Sequence, residues 1–281
     1  MSELCGRLIK YFRLFFFVLC TCSLPSTITA QELDAARLQL RLNGERVGVE
    51  RYRVWQAGGA VNAMGNVVRA QGEEWQIFLQ MDIDLRPVKY QVREGRTSVV
   101  NGERFADRVR FHIVDDDGER WKEFRDDGVD AIVENGVAHH YLLLLRILEN
   151  AQGADVAMVI PSRGEAAIAT LLGKSSERVL VGDGAIAATR YDFDISGSVR
   201  NAWIDSEGKL LRILDEERGL EALRLPTQDS AQSVNNRGDR DPAETWRKTS
   251  SLPNFESTWS TGYLGQREVH PRSTTNSRSE R

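Results

Sequence analysis

Cysteine is confined to the start of the chain: Cys5, Cys20 and Cys22 are the only three in 281 residues, and none follows Gln31. A chain beginning at Gln31 therefore has no disulfide, no thiol nucleophile and no Cys-ligated zinc site. A surplus of positive charge is also lacking, since 37 basic against 41 acidic residues give a net charge of -4. That balance excludes a dedicated nucleic-acid binder, which needs cationic surface to displace counterions from phosphates. Beyond the first thirty residues no apolar run approaches the length needed to span a bilayer.

The recognised catalytic and cofactor motifs are missing as well. Gly173-Lys174-Ser175 resembles the end of a phosphate-binding loop, but the required preceding glycine falls on Ile168, so a hairpin turn is expected there. Asp115-Asp116-Asp117-Gly118 suggests a calcium loop, yet that register puts Ile113 and Phe124 at ligand positions, and a solvated hairpin tip is expected instead. His139 and His140 are adjacent, and neighbours on a helix point about 100° apart, so they cannot chelate one ion as an i, i+4 pair does. A structural role is expected for both. No Gly-x-Ser-x-Gly elbow is present. No catalytic residue, cofactor site or metal site is assigned from the sequence, and the expectation is a protein that is not an enzyme.

What is present begins with an export signal. Arg7, Lys10 and Arg13 precede the apolar stretch Leu14 to Leu24, and Ile28-Thr29-Ala30 offers a cleavage site before Gln31. Eleven residues at about 1.5 Å each cover roughly 16 Å, about half the hydrocarbon thickness, which favours removal over an uncleaved anchor. Residues 1–30 are read as a signal peptide and the product as periplasmic or extracellular. The residues before Cys20 and Cys22 lack the small-residue pattern of a lipid-attachment site.

From residue 31 to 226 apolar and polar residues alternate, the period of half-buried strands. Leu38, Leu40 and Leu42 form one such series, followed by Val88, Tyr90 and Val92, by Val109, Phe111 and Ile113, and by Tyr191, Phe193 and Ile195. Asn43-Gly44, Asn101-Gly102, Asp117-Gly118, Asp127-Gly128, Asn135-Gly136 and Asp183-Gly184 are turn dipeptides that join neighbouring antiparallel strands. About twelve strands are expected, and no Rossmann or TIM pattern is seen. Ala138 to Ala151 alone has helical spacing, and its apolar surface is wide enough to demand burial on more than one side. The predicted fold is mainly β: a curved antiparallel sheet or incomplete barrel with one helix, about 138–151, in its concave face. Residues 227–281 are polar and without period, and are predicted to be a disordered tail.

The order from the helix through Gly182-Asp183-Gly184, Ala202-Trp203-Ile204-Asp205 and Gly208-Lys209-Leu210-Leu211-Arg212 resembles a family of exported bacterial proteins of unknown function. That family is similar in shape to periplasmic lipoprotein carriers of the LolA and LolB type. The resemblance implies an apolar cavity between sheet and helix that receives acyl chains, and no catalytic residues. The expected function is binding of an apolar or amphipathic ligand (acyl chain, lipid or lipoprotein), with Tyr141, Leu144, Leu145, Leu148 and Trp203 as ligand-binding residues. One alternative is an envelope scaffold whose tail, around Trp246 to Tyr263, docks a partner protein. A carboxylate-dependent hydrolase is the other.

Overall fold

The computed structural model describes residues 30–226, so the expected signal peptide and polar tail lie outside the described residues. The described residues all belong to one compact unit. Eight strands come first: β1 (Gln31–Leu42), β2 (Glu45–Ala57), β3 (Ala60–Arg69), β4 (Glu74–Asp82), β5 (Pro87–Glu94), β6 (Thr97–Phe105), β7 (Arg108–Asp115) and β8 (Gly118–Arg125). A 3-10 turn at Asp126–Gly128, the short β9 (Ala131–Ile132) and helix α1 (His139–Asn150) follow. The chain continues through β10 (Val156–Ile160), β11 (Glu165–Val181), β12 (Gly184–Ile195), β13 (Ser198–Asp205), β14 (Leu210–Asp215) and β15 (Leu220–Arg224).

All fifteen strands join one sheet, in the order β8-β7-β6-β5-β4-β3-β2-β1-β15-β14-β13-β12-β11-β10-β9. Two meanders thus run outward from β1, which pairs on one side with β2 and on the other with β15. Every pairing is antiparallel except the two-residue contact of β9 with β10. The sheet does not close: β8 and β9 are its two edges. Side chains bring the β8 edge to the turn after β10, where Arg120 Nη2 donates to the Ser162 carbonyl at 3.0 Å.

The predicted alternation is realised in β7 and β12, while Leu42, at the end of β1, is exposed. Val109, Phe111 and Ile113 are buried in β7, and Tyr191, Phe193 and Ile195 in β12, while their neighbours face outward or lie half-exposed. Asn43-Gly44 turns with both residues at positive φ, 52° and 84°, the geometry of a tight hairpin. Other turn predictions are corrected: Asp127-Gly128 lies in the 3-10 turn between the two edge strands and Asn135-Gly136 leads into the helix, so neither joins paired strands. Asn101-Gly102 lies inside β6, where Gly102 pairs directly with Phe111. A Cβ there would stand 2.5 Å from the Phe111 ring, so this glycine serves close packing rather than a turn. Gly173-Lys174-Ser175 likewise lies inside the 17-residue β11, beside a register shift between Leu171 and Gly173. That glycine marks a bulge.

The helix sits where its composition demanded. Eight of its twelve residues are buried, from His139 to Leu145 and at Leu148. Gln152 and Gly153, both at positive φ, stop it. Each leucine so enclosed contributes roughly 1.5–3 kcal/mol relative to exposure, and α1 packs into one cluster with the inward residues of strands from both meanders.

Candidate functional site

The first turn of α1 has no capping side chain of its own, because Ala138 occupies the N-cap. The cap comes from β2. Glu50 Oε2 accepts from the Ala138 amide at 2.7 Å, and Oε1 accepts from the His139 amide at 2.9 Å and from His139 Nδ1 at 2.6 Å. A carboxylate at the positive end of the helix dipole is favourable, and three donors compensate for its removal from water. Glu50, His139 and His140 all have 0% exposure.

His140 is held differently. Its Nδ1 accepts from the Glu134 amide at 3.0 Å, and its ring stands edge-on to Tyr90 and to His139 at centroid distances of 5.8 and 4.6 Å. Burial, aided by the neighbouring His139, pushes the His140 pKa well below the usual histidine range. Glu134 accepts from the Asn135 amide at 2.9 Å, from the Ser162 amide at 3.0 Å, and from the Ser162 hydroxyl. Burial raises the Glu134 pKa despite these bonds, and raises that of Tyr90, whose hydroxyl faces Glu134, well above the ordinary tyrosine value. Behind His139, Tyr52 stacks on the imidazole at 5.5 Å and donates its hydroxyl to Asp34. Asp34 in turn accepts from the Leu210 amide at 3.0 Å and from Arg224 at 3.0 and 3.1 Å, tying β1 and β2 to β14 and β15.

These contacts fix the tautomers. A hydrogen stands on His139 Nδ1, toward Glu50, and neutral His140 carries its hydrogen on Nε2, because its Nδ1 is an acceptor. Neither Nε2 has a hydrogen-bond partner among the described residues. Chelation by the pair would need a lone pair on both Nε2 atoms, and His140 offers an N–H instead. Among the described residues no group of three or more His, Cys, Asp or Glu side chains is placed to hold a metal ion. The chemistry available here is capping and cross-strand ties: the acids Glu50 and Glu134 are both engaged by backbone amides.

Four of the five sequence-predicted ligand residues come together. Tyr141, Leu144, Leu145 and Leu148 are buried side by side in the main cluster, with the Tyr141 ring 6.0 Å from that of Phe193. A buried ion pair, Arg200 Nε to Asp215 Oδ2 at 2.8 Å, lies beside Tyr141. Trp203 does not join them. It sits on the other face of the sheet in a separate cluster with Val179, Ala188 and Leu211, donates to Glu177 Oε2 at 2.7 Å, and lies between Arg190 and Arg212. Sequence reading missed Glu50 and Asp34. The signal was available: Glu50 falls in register with Tyr52 and Val54 on the apolar side of β2, and a carboxylate in an apolar register needs a buried partner.

The helix side of the sheet continues past the end of α1. Glu149 accepts there from Lys174 at 2.6 Å and Tyr191 at 2.8 Å. Burial together with the Glu149 bond pushes the Tyr191 pKa up to about 12. Lys174 pairs across strands with Tyr191, Ser176 with Thr189, Arg178 with Ala187 and Leu180 with Ala185, and directly opposed residues share a face. Beyond Glu149 this face is uncovered and forms a groove of about 500 Å³ lined by Ser176, Arg178, Ala187, Thr189 and Ser206, with Glu177 and Ala188 between them.

No family model matches the chain. No curated protein matches it either. Among solved structures, it is similar to the crystal structure of a β-barrel-like protein of domain of unknown function DUF1849 from Brucella abortus, at 10% identity and a TM-score of 0.42, over 70% of this chain and 96% of that one.

Proposed function

We propose that this chain is an exported, non-enzymatic protein that holds an apolar or amphipathic ligand in the trough of its sheet alongside α1, as the LolA- and LolB-type carriers hold acyl chains. The observation that carries the reading is the union, among the described residues, of an unclosed fifteen-stranded sheet with one α-helix whose apolar side chains fill only part of the trough. Where α1 lies, the space is occupied by Leu142 to Leu145 and Leu148; beyond Glu149 the same face is open. Concave sheet faces with a mixed apolar and polar lining are common ligand sites.

Native mass spectrometry of protein purified from its own envelope tests the reading. A consistent bound mass, released by organic solvent and carrying an acyl chain, is the expected result. Protein that is ligand-free in repeated preparations overturns it. The alternative of a partner-docking tail concerns residues outside those described, and the carrier reading makes no use of them.

A further inference from the structure

We propose that the groove beyond the C-terminal end of α1 binds a single-chain amphiphile with an anionic headgroup, the headgroup against Arg178 and the chain along Ala187, Ala185 and Leu180. The inference rests on the ligand-binding reading above and narrows it to one place and one sign of charge.

The electrostatics of the groove are one-sided. Arg178 donates one N–H to the Ala185 carbonyl at 2.9 Å and meets no carboxylate among the described residues. Four acids near it have partners of their own, among them Glu207, which pairs with Lys209. Glu177 is drawn to the opposite face by the Trp203 indole. Glu149 is taken by Lys174 and Tyr191, and Asp205 caps its own turn through the Glu207 and Lys209 amides, both at 2.9 Å. Arg146 of α1 reaches the carbonyl of Gly208 at 3.5 Å, in the turn that also supplies Ser206.

The hydroxyls agree with the charge. Ser176, Thr189 and Ser206 line the groove, and none of the three side chains is hydrogen-bonded to another described residue. A guanidinium with free N–H groups beside three unengaged hydroxyls matches the oxygens of a carboxylate or phosphate. Ala185, Ala187 and the exposed Leu180 continue the same face as an apolar strip. About 500 Å³ is within the range of small-ligand sites, roughly 300–1,000 Å³.

The test uses the full chain without its signal segment, titrated calorimetrically below the critical micelle concentrations with laurate, dodecyl phosphate, dodecyltrimethylammonium and dodecyl maltoside. Laurate or dodecyl phosphate should bind at least tenfold more tightly than the cation, and the tighter of the two identifies the headgroup as carboxylate or phosphate. Arg178→Gln should weaken the anionic probe at least fivefold, and Ala187→Trp, at an exposed position, should block the groove to all probes. Equal affinity for cationic and anionic probes overturns the proposal. So does undiminished binding by both variants, which moves the ligand elsewhere and leaves the carrier reading standing. No binding by any probe overturns the proposal, and only ligand-free protein from the envelope extends that failure to the carrier reading.

Discussion

Glu50 and His139, on elements 89 residues apart in sequence, meet in full burial with 2.6 Å between carboxylate and imidazole, and the same carboxylate closes the first turn of the helix. The contact fastens α1 to the middle of the sheet, and every prediction about the interior begins from it.

Glu50→Ala removes three accepted hydrogen bonds at once and strands the Ala138 and His139 amides. Losing one partner of a buried charged interaction costs about 3–5 kcal/mol. Glu50→Gln keeps one acceptor and should cost about half as much. Urea unfolding at pH 7 checks both; an alanine variant as stable as the parent would show that the cap carries no weight.

The buried His140 makes stability depend on pH in a defined direction. Its folded pKa is depressed, so below about 6.5 the unfolded chain takes up a proton that the folded chain refuses, and stability falls with pH until the folded pKa is reached. His139, Glu134 and Tyr90 face the ring. Glu134 acts oppositely: its folded pKa is raised, so the folded chain holds the extra proton, and stability is lost as pH rises through that value. His140→Asn removes only the histidine contribution. The stability gap between parent and variant should narrow between pH 7.5 and pH 5, as read from urea midpoints; a constant gap would mean that His140 titrates normally.

Gly65→Ala in β3 should destabilise by about 2 kcal/mol or more, because overpacking a rigid interior costs about 1–3 kcal/mol and the ring in the way cannot retreat. The added Cβ would run into the His139 imidazole, 2.9 Å from Nδ1, and Glu50 holds that ring. Gly173→Ala, with nothing within 4 Å of its Cβ position, should be near neutral. Paired thermal melts decide it, and equal shifts for the two would refute the packing argument.

Leu148→Ala opens space on the helix side of the trough and should cost about 2–5 kcal/mol. Trp203→Phe, on the other face, should leave bound ligand unchanged. Comparing the co-purifying mass in the two variants tests whether the trough side holds it; loss of ligand in Trp203→Phe alone would place the site on the outer face.

Much of this architecture could be read before any coordinates. The alternation around Phe111 and Phe193 located strands and their buried faces, since a period of two follows from backbone geometry alone. The helix came within one residue at each end, because an all-round apolar surface has few other solutions. Gly102 and Gly173 were misread for a shared reason: a glycine beside Asn or Lys does not disclose whether it supplies positive φ, room for a ring, or a bulge. The two-residue β9, paired parallel to β10, is too short to leave a pattern. Glu50 could be marked as anomalous in its strand, but its partner lies beyond any local window, so the polar centre was visible only as half of a pair. The groove at Arg178 was invisible, being a property of where α1 ends relative to a longer hairpin.

The sheet's first strand is also its keystone, bonded to β2 on one side and to β15 on the other. One flank is met by the next strand in sequence, whereas the other is met only by β15, and Asp34 of β1 is bonded to Arg224, 190 residues away. Closing that seam therefore requires contacts of high sequence separation, the kind that carry the largest loop-closure cost and set the pace of β-sheet folding.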